Sequence, residues 1–354
     1  METNALIANS LGNGDMADRL MASNFDPRVC RPYSGPDGRA YITQNDANEK
    51  SKVVCVGNTT TTLRQDDWKQ IDDAVVKAGV PRLKLVADLR GRGLQYTIPN
   101  GMGKTVLETD TQSDINDADI SMDGIRKSQA DLPVFERTSM PLPIIHKDFS
   151  ISARRIQASR NGGSPLDTTA AESAARKVAE MAEQVAIGSL PSSAYAYAGG
   201  TIYGLTNYTG ALTKTITTPD GTNGATTVIE VAAMMQQSRD AYHYGPWMVY
   251  NAPNWAQFLD LDYSAAKGDN TLRQRIMTMD GIMGIQTLDY MTNYDLILVQ
   301  MTTDVIRMVI GMEIITLQWD TIGGLQKNFK VMAIMVPQIR ADQNDNTGIV
   351  YGSV

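Results

Sequence analysis

Between residues 130 and 188 an extended run, ADLPVFERTSMPLPIIHKDFSIS, passes through a polar turn, SRNGGSPLDTT, into an alanine-rich stretch, AAESAARKVAEMAEQVAIGS. Prolines punctuate the first part, and inside a helix each would remove a hydrogen bond and clash with the preceding turn. In the last part Ala171, Ala174, Ala175, Val178, Met181, Ala182 and Val185 recur at helical spacing. This predicts a helix over 169–187, ended by Gly188. Thr169 and Glu172 fit a capping box at its start, and Arg176, Lys177, Glu180 and Glu183 form its expected charged face. The alanines allow another element to approach the backbone closely. A long loop feeding one supporting helix is an odd frame for an enzyme and a good one for a tile. The loop reaches a neighbour while the helix stiffens the body.

The segments before this helix fit the same picture. Within 83–150, Leu94, Tyr96 and Ile98 alternate like a strand, and Leu132, Val134 and Phe135 do so further on. Between them Glu108–Asp123 carries six carboxylates and no basic residue. The whole predicts a projecting β-hairpin with a polar tip, since a structureless loop of that length is improbable in a compact domain. Ahead of it, Trp68, Ile71 and Val75 predict a helix over Asp66–Ala78, stopped at Gly79-Val80-Pro81. Residues 1–64 are rich in Asn, Gly, Asp and Thr, with one short helix expected at Gly14–Asn24 and extended arm elsewhere. Ordering such a chain costs about 1–2 kcal/mol per residue, while burial returns only about 25 cal/mol per Å². An arm this polar must lie on a large surface, and a neighbouring subunit is the favoured one.

The second half reads as mixed helix and strand. Residues 190–225 form a Ser-, Tyr-, Gly- and Thr-rich connection. A helix is expected at Thr227–Tyr242, with Val228, Val231, Ala232 and Met235 inward, and further helices at Pro253–Leu261 and Thr271–Met279. Strands are expected at Met248–Tyr250, Ile285–Leu288, Leu296–Met301, Val305–Ile310, Ile314–Trp319 and Phe329–Arg340. The last is apolar on both faces, which marks a central strand. Methionines crowd this half, among them Met234, Met235, Met277, Met279, Met283, Met291, Met301, Met308 and Met312. Flexible thioethers suit a core that repacks as subunits shift. The chain is α+β, and 354 residues with 42% apolar content allow two or three modules with a real core.

Chemistry is thinly marked. A net charge of −7 argues against a protein whose main task is gripping nucleic acid, though not against enclosing it. No apolar run approaches the ~20 residues of a membrane helix. The start METNALIANSLGNGD lacks the regions of a secretory leader, so none is expected. Cys30 and Cys55 are expected as free thiols, and the sequons at Asn58 and Asn207 as chance matches. GMGKT at 101–105 resembles part of a phosphate loop, but Ile98 stands where the first glycine belongs, and no helix start follows. The acidic run fails the EF-hand pattern: counting from Asp114 puts Ala118 at a ligand position, and from Asp117 puts Met122 where glycine belongs. His146 and His243 stand far apart, and no zinc spacing or nucleophile elbow is present. Catalytic, cofactor-binding and metal-binding residues are therefore expected to be none. The expected contacts lie between subunits, with Asp114, Asp117 and Asp119 of the acidic tip facing Arg90, Arg92, Arg154 and Arg155 of a neighbour.

The order of these parts over residues 64–352 resembles the Hong Kong 97-like major capsid proteins of tailed phages and their encapsulin relatives. RQDDWKQIDDAVVKA is similar to the helix that opens the body of encapsulin-type shells, and 83–150 to the family's E-loop. KVAEMAEQVAIGS resembles the spine helix of the peripheral domain, IYGLTNY the turn that follows, and YGPWMVYNAPNWAQFL with GIMGIQTLDYM parts of the axial domain. The resemblance implies an N-arm at 1–64, an opening helix at 65–82, the E-loop with flanking strands at 83–150 and a peripheral domain at 151–225. An axial domain would follow at 226–325, and a return strand with the C-terminus at 326–354. It further implies a structural protein of the virion, assembled in a bacterial host's cytoplasm as hexamers and pentamers. The resulting icosahedral shell would enclose double-stranded DNA without sequence-specific binding, with portal, scaffolding and decoration proteins as further partners. The alternative within the family is an encapsulin-like compartment housing a cargo enzyme. The long segment before Trp68 favours the phage form. Outside the family stands a nucleotide-dependent enzyme built on GMGKT and Lys104.

Overall fold

The computed structural model describes residues 33–34, 39–46, 49–58, 63–112, 120, 122, 125, 132, 134–162, 167–190, 194–264, 270–320, 325–342 and 345–354. The helix expected at Gly14–Asn24, and Cys30, lie outside them. Within the expected arm, β1 (Tyr33–Ser34), β2 (Arg39–Asp46) and β3 (Glu49–Asn58) form an antiparallel three-stranded sheet. It is tied to the body where the Ser34 amide donates to the Leu63 carbonyl at 2.8 Å. Next come α1 (Gln65–Gly79), α2 (Lys84–Gly91), β4 (Gln95–Thr97), β5 (Val106–Gln112), β6 (Phe135–Pro141) and β7 (Ile145–Ser152). The middle of the chain holds α3 (Ala153–Gly162), α4 (Thr169–Ile187), β8 (Tyr195–Tyr197), β9 (Gly200–Ile202), β10 (Leu212–Thr215) and α5 (Gly224–Asp240). The last part holds β11 (Trp247–Asn251), α6 (Ala256–Leu259), α7 (Leu272–Met277), β12 (Ile282–Thr287), β13 (Leu296–Gln300), β14 (Ile306–Asp320), β15 (Gln326–Ile339) and β16 (Ile349–Ser353).

Two sheets carry the body. A four-stranded sheet has the order β4-β14-β15-β7, so β15 is an inner strand, as its two apolar faces predict. Helices α1 and α4 pack together and against this sheet, with Trp68 edge-on to Phe329 at 6.0 Å and Phe149 stacked on Phe329 at 5.0 Å. Trp68, Ile71 and Val75 are buried on α1, as their spacing predicts. A five-stranded sheet has the order β10-β16-β13-β11-β12, and every residue of β11 and β13 is buried. β14 belongs to the four-stranded sheet, while β10 and β16 belong to the five-stranded one.

Several local expectations are corrected. The first turn of α4 begins after Thr168, not Thr169, and the Thr168 hydroxyl donates to Glu172 Oε1 at 3.1 Å, so no capping box forms. Gly188 ends the helix in the left-handed region at φ 90°, which glycine tolerates without a Cβ penalty. Met181 and Ala232 are exposed, whereas Glu183 is buried. Tyr96 turns outward under Arg307, with 4.4 Å from the guanidinium to the ring centre, while Leu94 and Ile98 turn inward. Among the methionines, Met234, Met235, Met291, Met301 and Met308 are core, and Met277 and Met283 are exposed.

Candidate functional site

The hairpin β5–β6 is the clearest candidate contact surface. Its strands pair in register from Val106↔Pro141 to Gln112↔Phe135. The root is held by buried Leu107 and Met140, and by Gln338 Nε2 donating to Thr109 Oγ1 at 3.2 Å. β9 presses on β6 so closely that a Cβ on Gly200 would lie 2.3 Å from the Ser139 carbonyl oxygen. Further out, Arg137 bridges Glu108 at 3.2 Å and Asp110 at 3.1 Å, and the Asp110 hydrogen bond and charge raise its pKa. Beyond that bridge several of the described side chains are apolar and solvent-exposed. Val134 is 69% and Phe135 62% exposed, and Ile120, Met122, Ile125 and Leu132 are exposed as well. Exposed apolar groups gathered on one projection mark an interaction surface, whereas scattered ones do not.

A cleft of about 1300 Å³ lies beside the hairpin root, between β5–β6, the turn before β9, residues 337–342 and Asp345. Asp110, Glu136, Asp304, Asp342 and Asp345 line it against Arg137 and Arg340, so it favours cationic or hydrogen-bonding occupants over anions. Burial pushes the Tyr208 hydroxyl above its usual range, with Asp345 adding to the effect.

The structure places the predicted contact residues as follows. Arg90 forms an ion pair with Glu313 and donates to Gln95 Oε1 at 3.4 Å. Arg92 pairs with Asp88 at 3.0 Å and also reaches the sulfurs of Met248 and Met283. Both are thus engaged within their own chain. Arg154 is exposed at the start of α3, and Arg155 is exposed there with Asp167 at 2.9 Å. Asp114, Asp117 and Asp119 lie outside the described residues. The GMGKT stretch makes a tight turn at Gly101–Gly103 that feeds β5 rather than a helix. A Cβ on Gly101 would lie 2.3 Å from the Gly311 carbonyl oxygen, so this turn is pressed against β14 and is no cradle for phosphate. Among the described residues there is no cluster of three potential metal ligands, and no helix is long and apolar enough to cross a membrane.

A polar joint escaped the sequence reading. Glu183 of α4 accepts from the Leu85 amide at 2.6 Å and from the Val86 amide at 3.4 Å. Lys84 bonds Asp289 at 2.7 Å, and the Tyr250 hydroxyl donates to Asp88 at 2.5 Å. One signal was available: Glu183 continues the row Ala175, Ala179 and precedes Ile187, which places it on the buried stripe.

The fold is shared with known shells. A virus-like particle from Pyrococcus furiosus superposes with a TM-score of 0.56 at 16% identity, covering 81% of this chain and 99% of that one. The capsid of Myoviridae phage XM1 superposes with a TM-score of 0.55 at 10% identity, covering 70% of this chain and 85% of that one. In sequence, the type 1 encapsulin shell protein EncA of Myxococcus xanthus is 27% identical over 203 residues, which is 56% of this chain. That match spans 64% of the curated relative's length, just under two thirds. The architecture is therefore the Hong Kong 97-like capsid fold anticipated from the order of the sequence motifs, and over residues 58–352 the chain matches, and belongs to, a family of unknown function, DUF6260.

Proposed function

We propose that this chain is a structural tile, not an enzyme, and that copies of it assemble into a closed icosahedral shell of hexamers and pentamers. The observation that carries the reading is the β5–β6 hairpin: its root is built into the body while its tip presents apolar side chains that no part of the described chain covers. A tile with such a projection gains stability by laying it on a neighbour, since each Å² of apolar surface covered returns about 25 cal/mol. Arg154, exposed on α3, is the basic partner we assign to the acidic tip, because Arg90, Arg92 and Arg155 each already face a carboxylate of their own chain. The residues ahead of α1 form the second overlapping device. The shell encloses double-stranded DNA in this reading, with portal, scaffolding and decoration proteins as partners in a virion assembled in the host cytoplasm. The acidic balance of the chain suits a container that must release its grip on what it holds.

A second reading concerns the contents. The likeness to an encapsulin shell protein favours a compartment that houses a cargo enzyme. Negative-stain electron microscopy with size-exclusion chromatography tests the shell itself. Uniform polyhedra or hexameric and pentameric rings are expected, and a small monodisperse species at high concentration, unrescued by co-expressed scaffold, would sink the reading. Nuclease-protected DNA in native particles supports the capsid form, and a stoichiometric co-purified enzyme supports the compartment.

A further inference from the structure

Glu183 is 2% exposed, yet its carboxylate meets backbone amides rather than a cation. Those amides open α2, whose N-cap residue, Leu83, supplies no side-chain cap. A carboxylate from α4 thus closes the start of a helix that lies far from it in sequence. The same short helix reaches toward the five-stranded sheet through two side chains: Lys84 holds Asp289 in the loop after β12, and Asp88 accepts from Tyr250 on β11. Helix α2 is therefore a strut between α4 and the five-stranded sheet, and Glu183 sits at its inner end.

We propose that Glu183 makes the α4–α2 joint a pH-sensitive hinge, firm in weak acid and loosened as the carboxyl ionises. The groups around it, by the elements that pack there, are Lys84 and Asp88 on α2, Arg82 just ahead of it and Arg92 just after it, Glu180 on α4, Tyr250 on β11, and Asp289 and Tyr290 after β12. Burial pushes the Glu183 carboxyl up to about 7. The two amide bonds and Lys84 oppose the rise, and Asp289 adds to it. The direction follows from that upward shift. A group held above its unfolded value stabilises the joint fully below that unfolded value, and the benefit is lost as pH climbs through the folded value. The protonated carboxyl still accepts from an amide through its carbonyl oxygen, whereas the ionised one is a charge in a desolvated place. Glu183 and α2 belong to one chain, so the hinge works whether or not copies assemble.

Hydrogen exchange of the full chain tests it. After correction for the intrinsic rate, protection of the α2 amides should fall on the order of tenfold between about pH 5.5 and about pH 8.5. Glu183→Gln, which keeps one acceptor and cannot titrate, should remove that fall. An equal fall in the variant, or none in the wild type, overturns the proposal. Should Glu183→Gln fail to fold, Asp289→Asn serves instead. It removes a charge that pushes the Glu183 carboxyl up, so the midpoint of the loosening must move to lower pH, and an unmoved midpoint also overturns the proposal.

Discussion

Two hairpins of this chain, β14–β15 and β5–β6, are built by the same antiparallel pairing and have opposite relations to solvent. β14–β15 lies inside the four-stranded sheet, with β4 and β7 on its edges and α1 and α4 against it, and most of β15 is buried. β5–β6 forms a sheet of two strands, and β6 is exposed along its outer four residues. Ladder hydrogen bonds are common to both, so they do not account for the difference. What differs is where the apolar side chains find cover. In β14–β15 the chain covers its own, and in β5–β6 the described apolar side chains toward the tip are exposed. The first hairpin should set the stability of the single chain, and the second should set the stability of contacts between chains.

The sharpest way to break this comparison is Phe329→Ala. Phe329 is fully buried between Trp68 and Phe149, and a cavity there should cost about 3–5 kcal/mol in chemical unfolding of the chain. A loss below about 1 kcal/mol would mean that the core collapses around the gap, contrary to close packing. Gly311→Ala comes next. A Cβ there meets Ile334 Cγ2 at 2.9 Å and Gly101 Cα at 3.1 Å, so a loss of about 1–3 kcal/mol is expected from overpacking. The double change Val134→Ser with Phe135→Ser should leave chain stability within about 0.5 kcal/mol, yet abolish particles by electron microscopy. Intact shells from that variant would refute the role given to the tip. The smallest effect is expected for Arg137→Ala, because its ion pairs are exposed and screened. Its melting temperature should match the wild type, and a clear drop would show that the bridge organises the hairpin.

The two hairpins also differ in how legible they were. Trp68, Ile71 and Val75, the alanine row of α4 and the doubly apolar β15 carry period and length enough to be read directly. β14 reads as two runs because its register shifts between Ile310 and Met312 and again before Ile315. The turn at Gly101 presses on Gly311 at that point, a contact between residues far apart in sequence that no local pattern records. α2 was hidden for the same reason, since the group that caps it is Glu183. α3, with Arg154, Arg155 and Arg160 in its sequence and Ile156 the one core residue among its described side chains, offers no apolar period to recognise. At the candidate contact surface the hairpin was visible as alternation and charge. Arg90 and Arg92, expected at the subunit edge, each pair with a carboxylate of their own chain, Arg92 with Asp88 and Arg90 with Glu313, a partner no local pattern records.

One feature of the five-stranded sheet bears on how the chain emerges from the ribosome. β16 is an inner strand, parallel to β10 on one side and antiparallel to β13 on the other. Until residues 349–353 have been translated and released from the exit tunnel, β10 has no partner in that sheet and β13 carries an open edge. A nascent chain that has not yet reached these residues therefore keeps a gap inside the sheet, next to β10, so translation past residue 353 is a built-in checkpoint before this sheet can close.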